Sequence, residues 1–299
     1  MRILSLLLVF FCSSTLQAQE RFLDSIFKVT PPKTEVYAVK DGEELILDIY
    51  QPENDSENQR PLVVFMHGGG FSGGSPKHPD LVRFSEIAAT KGYVVVQIAY
   101  RLTRKGESFG CDFEASGKIE TFKNAAEDFM DAVSYLVDKK SELRLDPENI
   151  IVGGSSAGAE AVLSAVYNPG LMFGDHEAYR NLNFAAVISL AGAILDARLI
   201  GEKNTVPGIF FHGTNDNLVP YATAPHHFCE PNLPGYLMLD GSKTIAEKLK
   251  DLNSSYMLVS VEGAGHEISG VPFEDLPLLF RFIKKVVLED QKQQITLTK

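Results

Sequence analysis

The sequence predicts an α/β protein in which a mostly parallel sheet is covered by helices on both faces. Two observations predict this class. Short apolar runs alternate with amphipathic runs along most of the chain, as in repeated strand–helix units. Several apolar runs are uninterrupted, such as "PLVVFMH" and "YVVVQIAY", which is typical of strands buried on both faces. No internal repeat or break in composition divides residues 19–299, so we expect one domain.

Eight strands are predicted from apolar runs bounded by turn residues. The first two runs are joined at Asp41-Gly42, a two-residue turn that favours an antiparallel hairpin. The other six are richer in consecutive apolar residues, and several run directly into glycines. In chain order, the predicted strands cover residues 34–39, 43–50, 61–67, 93–100, 149–154, 184–192, 208–213 and 255–261.

Five helices are predicted from amphipathic runs. The longest of these has Phe122, Ala126 and Phe129 in one apolar stripe at spacings of three and four. The helices are predicted at residues 78–92, 118–137, 156–167, 242–252 and 274–290. Residues 221–242 lack periodicity and are rich in proline, glycine and histidine, so we expect a surface excursion beside the functional site.

Charge and length limit the classes of partner. The chain has 299 residues, of which 44% are hydrophobic, and this is enough to bury a full core. Its formal net charge is −11, and it has no cluster of Lys and Arg. Both facts argue against nucleic acid or an anionic membrane as a partner. The sequence gives no indication of the oligomeric state.

The first 18 residues are typical of a secretory signal peptide. Arg2 precedes an apolar run from Ile3 to Phe11, and "SSTLQA" supplies the small residues of a cleavage site. The apolar run is too short to span a bilayer. We therefore expect cleavage after Ala18 and a secreted or periplasmic mature protein without an integral membrane segment.

Two cysteines remain after the predicted signal peptide. Cys111 and Cys229 both lie in segments predicted to be loops. An even pair in an exported chain permits one disulfide, and two free thiols are the alternative.

A candidate nucleophile lies in "GGSSAGAEA", between a predicted strand and a predicted helix. The pattern Gly-x-Ser-x-Gly fits Gly154 to Gly158 in one register, which selects Ser156 over Ser155 because position 157 is Ala. Small residues two before and two after the serine permit the tight strand-to-helix turn that exposes a nucleophile. The motif alone is weak evidence for catalysis, and the alternative is that Ser156 is a helix N-cap. A phosphate-binding loop is disfavoured because the Gly-Lys-Ser/Thr ending that it needs is missing.

A serine hydroxyl needs a base to accept its proton and an acid to orient that base. His266 follows the last predicted strand, and Asp216 follows the strand before it. Both therefore lie at the carboxyl edge of the sheet, in the chain order Ser, acid, His. Asp240 and Glu262 are the alternative acids.

The segment "MHGGGFSGG" predicts an oxyanion hole. It directly follows a buried strand, and its glycines let backbone N–H groups approach a ligand closely. We expect Gly69 and Gly70 to donate, together with the N–H of Ala157. His67 is expected to brace this loop rather than transfer protons.

These motifs resemble those of the α/β-hydrolase superfamily over nearly all of the chain after residue 18. "HGGGF" before "GSSAG" is similar to hormone-sensitive-lipase-like carboxylesterases and to the kynurenine-formamidase-like group, whereas "HGTNDNLVP" resembles dienelactone hydrolases and prolyl oligopeptidases. The resemblance implies Ser156 as nucleophile, Asp216 as acid and His266 as base. Ser155 stands where many relatives have Asp, and the short segment before the sixth strand leaves room for only a small cap.

The resulting expectation is an exported serine carboxylesterase that acts on small or exposed esters without a metal or an organic cofactor. A carbohydrate esterase that removes acetyl or feruloyl groups and a serine exopeptidase or amidase use the same triad, and a binding protein that keeps the fold without turnover is a further alternative. The chain has no Trp, and the aromatic candidates for lining a pocket are Phe71, Tyr100, Phe109 and Tyr221.

Overall fold

The computed structural model describes residues 19–174 and 179–299. The predicted signal peptide, residues 1–18, lies outside them. The strands are β1 (Lys33–Lys40), β2 (Glu43–Tyr50), β3 (Arg60–Met66), β4 (Val94–Ile98), β5 (Leu145–Ser155), β6 (Ala186–Leu190), β7 (Ala193–Ile194), β8 (Gly208–Gly213), β9 (Thr223–Pro225), β10 (Met238–Gly241), β11 (Tyr256–Val261) and β12 (Gln294–Thr298). The helices are α1 (Pro79–Thr90), α2 (Ala115–Asp138), α3 (Lys140–Leu143), α4 (Ala157–Tyr167), α5 (Pro169–Phe173), α6 (Ser242–Asp251) and α7 (Leu276–Ile283).

The main sheet has the strand order β1-β2-β4-β3-β5-β6-β8-β11-β12. β2 pairs antiparallel with β1 and β4, and the pairs from β4 to β12 are parallel. The predicted hairpin at Asp41-Gly42 and the predicted mostly parallel sheet are therefore both confirmed. The carboxyl ends of β3, β5, β8 and β11 lie along one edge, where a parallel sheet places its ligand sites.

A ninth strand extends the eight that the sequence predicts. β12 pairs in parallel with β11, with Gln294 opposite Tyr256. Its sequence, "QITLT", has only two apolar residues and alternates between exposed and half-buried positions. An edge strand of this kind carries little hydrophobic signal, so pattern reading missed it.

Helices cover both faces of the sheet, and the core is divided between these faces. Neighbouring residues of β3 point to opposite sides: Val64 belongs to the cluster that contains Phe122 of α2, and Phe65 packs against Phe84 of α1 with ring centroids 5.5 Å apart. α4 and α6 also lie on the α2 side, and α7 lies on the α1 side. All five predicted helices are present, and the short helices α3 and α5 were not predicted. No helix among the described residues is long and apolar enough to cross a membrane.

The excursion at residues 221–242 is ordered by a small sheet and by one covalent bond. β10 pairs with β7 and β9 in a three-stranded antiparallel sheet. A disulfide joins Cys229 of the excursion to Cys111 in the loop between β4 and α2. The backbone adds hydrogen bonds beside it, from Gly235 N to Cys111 O at 2.9 Å and from Ala115 N to Pro234 O at 2.9 Å.

We expect removal of this disulfide to lower the free energy of unfolding by about 2–5 kcal/mol. The bond closes a loop with a sequence separation of 118 residues, so its loss increases the entropy of the unfolded chain considerably. The measurement is urea unfolding of the oxidised protein, the dithiothreitol-treated protein and a Cys111→Ala/Cys229→Ala variant. Dithiothreitol should leave the variant unchanged, and equal midpoints for oxidised and reduced wild type would contradict the prediction.

Candidate active site

The turn between β5 and α4 has the conformation expected of an exposed nucleophile. Ser156 lies between them with φ 50° and ψ −122°, a backbone conformation that costs a non-glycine residue on the order of 1–3 kcal/mol. The surrounding fold holds this conformation, because Ser156 N donates to Leu190 O of the neighbouring β6 at 2.8 Å. Backbone strain of this kind is concentrated at functional sites.

The two glycines of the motif are required by close packing. A Cβ on Gly154 would lie 2.4 Å from the carbonyl carbon of Gly158. A Cβ on Gly158 would lie 2.3 Å from Met66 O and 2.5 Å from His67 O at the end of β3. Neither position can therefore hold a larger residue. The sequence selected Ser156 over Ser155 on this same requirement for small residues at positions 154 and 158.

The structure brings together the three side chains that the sequence selected. Ser156 Oγ lies 2.7 Å from His266 Nε2, and His266 Nδ1 lies 2.7 Å from Asp216 Oδ2. If Nδ1–H donates to the carboxylate, Nε2 is left to accept the serine proton. Ser156 occupies the N-cap position of α4 but makes no side-chain capping bond, which argues against a purely capping role.

Asp216 is held as a carboxylate by four hydrogen-bond donors. Its Oδ1 accepts from Leu218 N at 2.9 Å and from Val219 N at 3.0 Å, and its Oδ2 contacts His266 and also His212 at 3.3 Å. Burial alone would raise the pKa of Asp216, but the hydrogen bonds from His212 and His266 together hold this pKa well below its ordinary value. The side chain can therefore stabilise a positive imidazole.

His212 is a residue of this site that the sequence reasoning missed. It is buried at the end of β8, where its Nε2 lies 3.1 Å from Val219 O and its Nδ1 lies 2.8 Å from Ser242 Oγ. A carbonyl only accepts, so Nε2 carries the proton and can also donate toward Asp216. A histidine inside an apolar strand, two residues before a turn, was the available signal.

The N–H groups predicted for the oxyanion hole have no protein acceptor. Gly69 and Gly70 line the cavity above Ser156, and Ala157 begins α4. Within residues 19–174 and 179–299, the N–H groups of these three residues donate no hydrogen bond to another protein group. The first N–H groups of a helix are unpaired by geometry, and Ala157, the first residue of α4, lines the same cavity. Their role in binding an oxyanion stays a prediction.

His67 contacts the glycine loop as a brace would. Its Nδ1 donates to Gly68 O at 2.7 Å, and its ring packs against Tyr100 with centroids 4.5 Å apart. The Tyr100 hydroxyl in turn donates to His67 O at 3.1 Å. Burial lowers the pKa of His67, so its neutral form is favoured at neutral pH.

Ser155, the other serine of the motif, connects the nucleophile turn to the histidine turn. Its hydroxyl donates to Ser269 O at 2.6 Å, and Ser269 ends the short helical turn that His266 begins. The alternative acids are placed elsewhere. Asp240 accepts from Ala197 N and Thr223 Oγ1, and Glu262 is exposed.

The site opens into a cavity of about 600 Å³. Of the four aromatic candidates for lining it, Phe109 does so. Phe71 and Tyr100 do not, since they are buried in the core beneath the glycine loop, and Tyr221 is not among the lining residues either. The rings of Phe71 and Tyr100 pack together, with centroids 6.2 Å apart, and burial stabilises large apolar rings. The cavity is lined by apolar residues such as Leu218 and Val271 and also by polar ones, including Glu160, His226 and His227.

This fold, with a serine, a histidine and an aspartate at the carboxyl edge of its sheet, defines an α/β-hydrolase. The family model described as BD-FAE matches residues 47–202, just over half of the chain. The protein belongs to this family. The resemblance to the α/β-hydrolase superfamily that the motifs indicated is therefore confirmed.

Curated relatives are carboxylesterases that the chain matches in part. It is 30% identical over 176 residues to the liver carboxylesterase of Sus scrofa, which is 56% of this chain and 30% of that protein. It is 32% identical over 165 residues to carboxylesterase 1E of Mus musculus, which is 54% of this chain and 26% of that protein. The chain thus spans less than a third of the length of these relatives.

Solved structures support the fold. A thermophilic esterase from Thermogutta terrifontis superposes with a TM-score of 0.62 at 23% identity, over 85% of this chain and 92% of that chain. A second structure of this esterase, esterase 2, phosphorylated by paraoxon, superposes with a TM-score of 0.63 at 22% identity, over 85% of this chain and 94% of that chain. At these identities the likeness establishes the fold alone.

Proposed function

We propose that this protein is an exported serine carboxylesterase that hydrolyses small or exposed carboxylic esters through an acyl-enzyme at Ser156. The observation that carries the proposal is the continuous chain of contacts Ser156–His266–Asp216, with two distances of 2.7 Å, beside three unpaired backbone N–H groups. The carboxylesterase relatives support the same reaction class.

The proposed reaction has two balanced halves. His266 Nε2 accepts the Ser156 proton as Oγ bonds to the ester carbonyl carbon, and the N–H groups of Gly69, Gly70 and Ala157 stabilise the oxyanion. The bond to the alcohol oxygen then breaks, and His266 returns the proton to the leaving alcohol. A water deprotonated by His266 then bonds to the acyl carbon; the bond between this carbon and Ser156 Oγ breaks, and His266 returns the proton to Oγ, which releases the acid and restores Ser156.

A fluorophosphonate probe tests the proposal because it reacts with activated serines. We expect one equivalent to label the wild-type protein at Ser156, as located by peptide mass spectrometry, and no label on Ser156→Ala. A folded wild-type protein that stays unlabelled would overturn the proposed mechanism.

The same triad serves amide hydrolysis and the removal of acetyl groups from polysaccharide. Nitrophenyl esters of increasing acyl length, their anilide counterparts and acetylated sugars separate these alternatives. We expect short esters to be hydrolysed at least 100-fold faster than matched anilides, since amides have a poorer leaving group. Faster turnover of the anilides would favour an amidase instead.

Export is part of the proposal. It rests on the signal-like residues 1–18 and is supported by the disulfide between Cys111 and Cys229, since such bonds persist in oxidising compartments. Amino-terminal sequencing of protein recovered from outside the cytoplasm should begin at or near Gln19. Recovery of cytoplasmic protein with an intact leader would contradict this part.

A further inference from the structure

The cavity contains a second acid and a second histidine that the triad does not use. Glu160 lies on α4, one helical turn beyond Ser156, and His226 lies on the excursion directly after β9. Both line the cavity, yet only 2% and 1% of their surfaces are exposed. Charged side chains are rarely buried to this extent without a compensating partner.

The two side chains touch but leave polar atoms unpaired. His226 Nε2 lies 3.4 Å from Glu160 Oε1. Neither Glu160 Oε1 nor His226 Nδ1 has a hydrogen-bond partner in the part of the chain that the structure describes. Lys118 is the nearby cation, but its Nζ donates to Gly235 O at 2.9 Å. Buried polar atoms without partners are costly, and natural proteins retain them mainly at functional sites.

Burial shifts the pKa of each group toward its neutral form. Burial raises the pKa of Glu160 well above its ordinary value, and the nearby negative charge of Asp216 adds to this shift. Burial lowers the pKa of His226 well below its ordinary value, and His227 beside it acts in the same direction. A neutral carboxyl and a neutral imidazole each offer one donor and at least one acceptor, and they favour a neutral ligand over a charged one.

The position of His226 is fixed by its surroundings. Its backbone N donates to Leu237 O at 2.8 Å, and its ring meets the edge of Phe109 with centroids 5.4 Å apart. The disulfide at Cys229 anchors the chain three residues further on. The wall that carries the unpaired atoms is therefore preorganised, which lowers the entropy cost of binding.

We propose that Glu160 and His226 form a subsite that binds a hydroxyl group carried by the ester substrate, on either its acyl or its alcohol part. The inference rests on the proposed esterase function and adds a substrate class to it. A hydroxyl donates one hydrogen bond and accepts others, so it can pair with both side chains at once. An ester with a methyl group in its place leaves them unpaired and is discriminated against.

The test compares isosteric esters on each side of the scissile bond. The acyl arm uses ethyl 3-hydroxybutyrate and ethyl 3-methylbutyrate, and the alcohol arm uses 2-hydroxyethyl butyrate and propyl butyrate. We expect wild-type kcat/KM to favour the hydroxyl ester by about 10- to 100-fold in one arm. The arm that shows the preference identifies which part of the substrate the subsite holds.

Variants assign the preference to the two side chains. Glu160→Leu and His226→Phe should each reduce the ratio of kcat/KM between the hydroxyl ester and the methyl ester to about 3-fold or less, because each variant removes one partner of the hydroxyl. Glu160→Gln should keep part of the preference for the hydroxyl ester, since an amide still donates and accepts hydrogen bonds. If one of the apolar variants does not fold, the other carries the test, because they remove opposite partners.

Labelling of Ser156 by the fluorophosphonate separates the possible failures. Wild-type protein that is labelled but shows no preference in either arm would overturn the subsite alone. A preference that survives both apolar variants would do the same. Wild-type protein that is never labelled would overturn the esterase function and the subsite with it.

Discussion

Replacement of Ser156 by alanine is expected to lower kcat by about 10⁴- to 10⁶-fold on any ester that the wild-type protein hydrolyses. The variant loses the atom that bonds to the acyl group but keeps the N–H donors of the glycine loop, so a small residual rate over uncatalysed hydrolysis should remain. KM should change little, because the hydroxyl contributes little to binding of the ground state. The measurement is steady-state hydrolysis of a short nitrophenyl ester.

Ser155→Ala is the matched control for this prediction. It removes a neighbouring hydroxyl and its 2.6 Å bond to Ser269 O, but it leaves the contact between Ser156 and His266 in place. We expect it to retain at least about a tenth of wild-type kcat, since a lost neutral hydrogen bond has a modest effect. If Ser155→Ala were inactive and Ser156→Ala active, the nucleophile would be assigned to the wrong serine.

Replacement of Asp216 by asparagine should lower kcat by about 10⁴-fold without unfolding the protein. The amide oxygen can still accept from the N–H groups of Leu218 and Val219. The amide nitrogen, however, would face His266 Nδ1 in place of Oδ2. It would donate to that nitrogen and move the ring proton to Nε2, which could then no longer accept from Ser156.

Glu262→Gln tests whether the effect belongs to this carboxylate. Glu262 was an alternative acid, and its side chain is exposed near the same edge of the sheet. We expect its amide variant to match wild type in kcat and in thermal midpoint. Activity of Asp216→Asn within 10-fold of wild type, in protein whose folding is verified by circular dichroism, would exclude the assigned role of Asp216.

The sequence predicts the parts of this site that depend on local pattern and chain order. Ser156 is distinguished from Ser155 because the tight turn allows only small residues at positions 154 and 158. Asp216 and His266 follow from their places after consecutive strands, because parallel strands end at one edge of the sheet. The structure brings all three into contact.

The remainder of the site depends on packing between distant segments, which pattern alone does not specify. His212 contacts Asp216 only four residues further along, but its ring is also held by Ser242 Oγ, thirty residues away, and no sequence pattern indicates that contact. Glu160 left a signal, a carboxylate within an otherwise apolar helix, but its partner His226 lies 66 positions further along, in a segment without periodicity. β12 was missed because edge strands need few apolar residues.

The contact of Gly158 with the carbonyls of Met66 and His67 joins the start of α4 to the start of the glycine loop. Ser156 and the proposed oxyanion hole are thus held together by one rigid contact. Neither can move to admit a bulkier substrate without displacing the other. Differences in substrate specificity between proteins of this fold must then arise in the segments that follow β4 and β8. These segments can change in sequence while the contact at Gly158 stays the same.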